Sequence, residues 1–376
     1  PLYSGALRPP SWNDMPKFSM FPQSSFLMFR NLQVSILIMA PNSLKINFVH
    51  RQSAHCESGV TANLLFHHGI NMSESLAFGI GAALFFGYFP FIRINGLPLT
   101  TFRGATGQIL KRVTKGLGIQ IKRHKFRDPE KAMNALDRII DQGIPVGMQT
   151  GVYWLPYFPP ALRFHFNAHN IIVYGKEGTE YLVSDPVFDE PVVCSRTDLM
   201  KARFAQGALA PRGKMYYLTR VPDHVDIATA IVRGIRDVCK TMLKIPFPLI
   251  GVRGIRFLAK RIENWPEKLG ESKASLNIGH IIRMQEEIGT GGAGFRFIYA
   301  AFLQEAAEIM GEKRLLNISK RMTEVGDRWR EFALFGVRNC KGRTLEGNTY
   351  PAMADILRDC ANQEDKLFHD LADLIS

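Results

Sequence analysis

HNIIVYGKEGTEYLVSDP, residues 169–186, is the stretch that decides how the chain is read. Two β-rich runs, IIVYG (171–175) and YLVSDP (181–186), flank KEGTE, a turn that carries a glycine. This pattern predicts an antiparallel hairpin. A turn centred on Glu177 sets His169 directly opposite Asp185, on one face and within side-chain reach. A one-residue slip, or a bulge at Gly178, breaks that pairing. Taken alone, the two residues are better explained as a structural His–Asp pair.

Upstream, HCESGVTANLLFHHG (55–69) supplies a partner for them. Val60, Leu64 and Leu65 form a helical apolar stripe, and Gly69 is a natural C-terminal stop. Cys56 therefore falls at or beside a helix N-terminus. Unpaired amides and the positive end of the helix dipole stabilise a thiolate there, and the same amides can hold an oxyanion. A small buried thiol without chemistry explains this motif equally well by itself. His55 is expected to cap the helix or to lie exposed. Together, Cys56, His169 and Asp185 give a nucleophile on a helix start, a base on one strand and an orienting acid on the next. The order Cys, His, Asn/Asp is that of the papain-like fold.

HCESG with its following NLL and G, continuing into SESLAFGIGAALFF (73–86), resembles the N-terminal domain family of butirosin biosynthesis protein H. The 169–186 block resembles that family's second motif, which bacteriocin-processing peptidases share. GTGGAGFRFIYAAFLQEAAE (289–308) is similar to the helical domain often fused behind it. The resemblance runs over about 45–375. It implies a papain-like fold and an acyltransferase. An aminoacyl group would pass from an acyl carrier protein thioester to an amine of an aminoglycoside. Cys56 would form the acyl-enzyme, His169 would shuttle protons and Asp185 would hold the imidazole. No cofactor and no metal are implied. Gln52, four residues before Cys56, is in the region where papain-like enzymes place an oxyanion side chain. The aromatic and proline-rich run 153–166 (YWLPYFPPALRFHF) cannot be regular helix or central strand. It is expected to be a stiff loop by the site, with Tyr153, Trp154, Tyr157 and Phe158 either walling a substrate pocket or covering the core.

Around these motifs the chain divides in two. From 45 to 222 helical segments mix with β-rich runs, including PVVC (191–194) and MYYLTRV (215–221). From Asp223 onward strand signals vanish and helical periodicity marks 226–243, 249–262, 273–288, 295–310, 313–335 and 351–374. The expectation is an α+β papain-like domain (45–222) followed by an all-helical domain (223–376), each long enough to bury its own core. Residues 1–44 read as a poorly defined extension before a start near Met39. Its apolar run 26–39 is broken by Arg30, Asn31 and Gln33, too interrupted for a secretory signal and too short to span a bilayer. GTGGAG (289–294) lacks a following Gly-Lys-Ser/Thr, which excludes a phosphate loop; it reads as an interhelical turn that contacts the catalytic half through Arg296.

The 376 residues carry a net charge of +13. Eight Lys/Arg and no acid lie between Arg103 and Arg127, and eight lie with Asp237 alone between Arg233 and Arg261. A basic docking face suits an acidic carrier protein; nucleic acid, anionic membrane or plain solvation fits the charge as well. No nucleic-acid fold signature accompanies it. Cys194, Cys239, Cys340 and Cys360 form no CxxC pair and read as structural, which points to a reducing cytoplasm. Two further readings stand beside the acyltransferase: a papain-like peptidase or amidohydrolase on the same residues, and a basic, non-catalytic binding protein.

Overall fold

The computed structural model describes residues 43–94, 96–343 and 349–375. The apolar run 26–39 and Met39 lie outside the described residues. The expected extension ends earlier than 44, because β1 (Ser43–Lys45) is already a paired strand.

The described strands of the first half build a seven-stranded antiparallel sheet. Its members are β1, β4 (Gln120–His124), β5 (Val146–Thr150), β6 (His169–Glu177), β7 (Glu180–Ser184), β8 (Val192–Ser195) and β9 (Met215–Arg220). The order is β4-β9-β5-β6-β7-β8, with β1 taking over the edge of β6 where β5 stops. The first seven residues of β6 are all buried, as a central strand covered on both faces requires. Ile171 and Val173 face α4 (Pro129–Ile140) and α5 (Arg196–Arg203) in one core. Ile172 and Tyr174 face a second core that includes α1 (Cys56–His67), α2 (Glu74–Ile80) and α3 (Gln108–Gly116).

The β6–β7 hairpin forms, but its register differs from the expected one. Ile172 pairs with Ser184 and Val173 with Val183; after a bulge at Tyr174, Glu177 pairs with Glu180 around a turn at Gly178 and Thr179. His169 and Asp185 are thus diagonal rather than directly opposite. The shift of two residues preserves the face, because side chains alternate with period 2.

A separate hairpin of β2 (Leu84–Ile94) and β3 (Leu97–Arg103) was not legible in the sequence. Its run LFFGYFPFIRI is apolar without clean alternation and holds Pro90, and the ladder is bulged in two places.

The last strand ends at Arg220, and from Ile227 the described chain is helical. The helices are α6 (Ile227–Cys239, extended by a π turn to Lys244), α7 (Gly251–Ile262), α8 (Trp265–Leu269), α9 (Glu271–Glu286), α10 (Arg296–Met310), α11 (Arg314–Cys340) and α12 (Tyr350–Leu374). The architecture is a mixed α/β region followed by a helical one. The two do not have separate cores, however. Phe78 of α2, Phe86 of β2 and Phe102 of β3 share one cluster with Phe302, Trp329 and Phe332 of the helices. Phe86 and Phe102 lie 5.7 and 5.4 Å, ring to ring, from Trp329. Gly79 of α2 makes the contact close: a Cβ there would stand 2.1 Å from the Phe302 ring.

At the centre of the helices, Arg296 and Glu364 form a fully buried bidentate pair (3.0 and 3.1 Å). Trp329 donates its indole N–H to the same carboxylate at 2.7 Å. The pair is hydrogen-bonded throughout, which offsets the desolvation of two buried charges. Arg296 was expected to reach the catalytic half; it turns to Glu364 and Gly294 instead, with only its guanidinium face over Phe102. Among the described residues no helix is long and apolar enough to cross a membrane.

Candidate active site

Cys56 is the first residue of α1. His55 caps that helix, accepting the Ser58 amide on Nδ1. The Ala54 and His55 amides donate to the Glu74 carboxylate at 2.9 and 2.6 Å. The segment ahead of the helix is fastened to the 184–188 turn, because Ser53 N–H donates to the Pro186 carbonyl at 2.6 Å and the His50 ring bonds Ser184 and Phe188. Gly59 permits this approach, since a Cβ there would stand 2.8 Å from Pro186 Cβ. The helix start carrying Cys56 is thereby positioned against the strand end carrying Asp185. The apolar stripe expected for α1 is an understatement: its first ten residues are all buried, and Glu57, Thr61 and Asn63 meet the cost with hydrogen bonds.

His169 opens β6, and its Nε2 lies 2.7 Å from Asp185 Oδ2. That leaves Nδ1 for the thiol. Asp185 is completely buried and also accepts from the Tyr157 hydroxyl (3.0 Å) and the Val187 amide (3.2 Å). Burial pushes the His169 imidazolium toward losing its proton, but the charge and hydrogen bond of Asp185 prevail and raise its pKa to about 10. Burial likewise pushes the Cys56 thiol up. The hydrogen bond and positive charge of His169, then the Arg103 guanidinium, bring it below the ordinary thiol value. The two shifts run in the directions that favour a thiolate beside an imidazolium.

Several contributors went unrecognised in the sequence. Asn170, directly after His169, places Nδ2 4.0 Å from Cys56 Sγ. Its second amide proton goes to the Ala168 carbonyl (3.1 Å), and its Oδ1 accepts from the Tyr216 hydroxyl (3.0 Å). The available signal was a polar residue at the head of an otherwise apolar central strand. Arg103 bonds the buried Glu57 carboxylate at 3.0 Å, which fixes its charge near the thiol. Nothing local in the sequence linked positions 57 and 103.

The remaining expected residues fall in different places. Phe158 packs edge-on against the His169 ring, centroids 5.5 Å apart. Tyr157 serves Asp185 through its hydroxyl. Tyr153 and Trp154 are 42% and 39% exposed, Tyr153 stacked on His165. Arg163 pins this loop by donating to the carbonyls of Phe158 and Pro156. Gln52 is exposed in the segment leading into α1. The 289–295 loop touches the site's border through Phe295, whose ring is 5.1 Å from His55 and 5.0 Å from Phe78. It does so in strained backbone, with Ala293 and Phe295 both at positive φ. The other four cysteines are unpaired, and burial raises Cys194 and Cys239 to about 12, which suits inert thiols. Among the described residues no group of three His, Cys, Asp or Glu side chains is placed to hold a metal.

Residues 55–186 match the family described as butirosin biosynthesis protein H, N-terminal. Residues 197–371 match a domain of unknown function, DUF4872, whose matched span begins before β9 and so includes a strand of the main sheet. A solved Bacillus anthracis structure, described provisionally as a C39-like peptidase, is 15% identical with a TM-score of 0.33, covering 48% of this chain and 99% of that one. No curated protein sequence matches. A helix-borne thiol set against a histidine and a carboxylate on an antiparallel sheet is the arrangement of a papain-like cysteine enzyme.

Proposed function

We propose that this chain, which carries a butirosin biosynthesis protein H N-terminal domain at 55–186 and a DUF4872 domain behind it, is a cysteine acyltransferase that forms amides. The observation that supports it is the buried Cys56 thiol at the start of α1, set beside His169, whose ring is held by Asp185 at 2.7 Å. In this reading the Cys56 thiolate attacks the carbonyl of a carrier-protein thioester. The carbonyl oxygen takes up the negative charge, the donor's C–S bond breaks, and the departing thiolate receives the His169 proton. An amine then attacks the acyl-enzyme and gives its proton to His169, and Cys56 leaves as the thiolate. The net change is thioester plus amine to amide plus thiol.

Three features favour transfer over hydrolysis or a binding role. Cys56, His169 and Asp185 are 7%, 4% and 0% exposed, which leaves little solvent at the thiol before a donor arrives. Tyr153 and Trp154, whose rings pack on His165 and under Lys201 respectively, keep 42% and 39% of their surface exposed to an arriving donor. The basic surface complements an acidic carrier protein. The name of the matched family points to secondary metabolism, antibiotic biosynthesis in particular, and the free thiols suit a cytoplasmic setting.

The test is intact mass spectrometry of wild type and Cys56→Ala after incubation with acyl carrier protein thioesters, followed by a panel of amines. An acyl adduct on wild type alone, discharged by amine faster than by water, is expected. Faster discharge by water would make the protein a hydrolase, and a Cys56 inert even to iodoacetamide would make it a binding protein.

A further inference from the structure

The β2–β3 hairpin extends past its own packing. Leu84, Phe86 and Tyr88 at its base are 0–2% exposed, whereas Phe91, Ile92 and Ile94 toward its end are 67%, 42% and 39% exposed. Phe247, from the loop joining the π turn to α7, is 40% exposed beside them. Phe89 connects the group, its ring 6.4 Å from Phe91 and 6.3 Å from Phe247. Large apolar side chains exposed one at a time need no explanation, but four of them on one hairpin and the loop linked to it through Phe89 do.

The charge on this side of the hairpin is mainly positive. Residues 84–103 and 238–262, which form the hairpin, the π turn and α7 packed on it, contain no Asp or Glu, while α9, packed on β3, carries Glu271 and Glu286 at its ends. Arg93 lies within the apolar stretch, Lys244 precedes the Phe247 loop, and both are exposed, as is Arg261 of α7. Arg93 and Arg261 converge: both act on the Tyr88 phenol, whose pKa burial raises and these two cations hold back. Arg256, also on α7, is already committed to Asp365 and Asn362 of α12 and is not counted among the free cations. Glu263, just beyond α7, is neutralised by Arg358.

We infer that the β2–β3 hairpin and the Phe247 loop form a docking surface for an anionic lipid bilayer. Phe91, Ile92, Ile94 and Phe247 enter the boundary between headgroups and acyl chains, and Arg93, Lys244 and Arg261 meet the lipid phosphates. Aromatic and aliphatic groups ringed by cations are the chemistry that holds a protein at such an interface without crossing it. An acidic protein would satisfy the cations but leaves a projecting Phe91–Ile92 tip unexplained. The surface is independent of Cys56 and of the acyltransfer reading.

The test is co-sedimentation of the full chain with vesicles of phosphatidylcholine alone and of phosphatidylcholine with phosphatidylglycerol. Binding is expected only to the anionic vesicles and is expected to weaken with salt. Phe91→Ser with Ile92→Ser should lower partitioning at least about tenfold, and Arg93→Gln and Arg261→Gln about fivefold each. Leu334→Ser, 48% exposed on α11, serves as the apolar control and should bind like wild type. Iodoacetamide labelling of Cys56 at the wild-type rate confirms that each variant is folded. Absence of binding to anionic vesicles, or equal binding by the Phe91→Ser/Ile92→Ser variant, overturns the inference. A dimer by light scattering that this same variant splits would assign the surface to a second copy of the chain and overturn it equally.

Discussion

Replacing Asn170 with alanine removes the amide that stands 4.0 Å from Cys56 Sγ and leaves thiol, imidazole and carboxylate in place. The amide is held at both ends: one Nδ2 proton is used by Ala168 at 3.1 Å, and Oδ1 is fixed by the Tyr216 hydroxyl at 3.0 Å. The remaining proton points at the sulfur. An acyl carbon bonded to that sulfur brings its oxygen into the same donor's range as negative charge develops. A pre-oriented donor at an oxyanion contributes a factor of about 10²–10³, or about 3–4 kcal/mol of barrier. Single-turnover acylation of Asn170→Ala by a thioester, followed by intact mass, should slow by that factor. Tyr216→Phe keeps the amide but frees one end, a loss of about 1 kcal/mol or about fivefold. Alkylation by iodoacetamide forms no oxyanion and should fall less than acylation does. If Asn170→Ala acylates within about threefold of wild type, a barrier change under about 0.7 kcal/mol, the amide has no part in the transition state.

Asp185→Asn removes the charge that raises the His169 pKa to about 10, so the imidazolium should deprotonate nearer its ordinary value. The thiolate pair exists above the lowered thiol pKa and is lost as pH rises through the folded His169 value. With less positive charge on His169 the Cys56 thiolate loses its main support, so the pH at which iodoacetamide alkylation sets in should rise, read from the pH dependence of the rate. The same raised pKa stabilises the fold most fully below 6.5 and progressively less up to about 10, and urea midpoints across that range should show it. Glu364→Gln leaves Arg296 buried without a counter-charge and should cost about 3–5 kcal/mol in urea unfolding. Gly79→Ala forces a methyl against the Phe302 ring and should destabilise by about 1–3 kcal/mol, visible as a lowered Tm with one transition for the whole chain.

What the sequence disclosed depended on whether the signal was local. The helices after Asp223 carried their own periodicity, several with Gly or Pro stops; α7, α10 and α12 begin and end within two residues of the expected ones, whereas α11 runs five residues past 335 and α8 was not foreseen. His169 and Asp185 were placed on one face from parity alone. The error of two in register came from a bulge at Tyr174, which has no local marker, and from a tighter turn centred on Gly178 and Thr179 rather than on Glu177. Strands β4 and β5 were missed because neither alternates: QIKRH of β4 is polar and mostly exposed, and VGMQT of β5 is buried at all five positions. Asn170 was overlooked for a related reason: neighbouring strand residues face opposite ways, so an argument from the face of His169 passed over it. Amphipathic helices announce that they have an apolar face without naming what covers it, which is why a separate core was expected for the helices and a core shared with α1, α2, α3, β2 and β3 was found.

That common core bears on how such a chain can change over generations. If the helices were removed after Pro222, Phe78, Phe86 and Phe102, each at most 2% exposed, would meet water directly, and the cap of Cys56 would lose Phe295. Two segments that match separate families have become unable to part company. Exchanging one helical half for another would require re-fitting the wall behind His55 and Cys56, so substitutions far from the thiol can reach its surroundings through the packing.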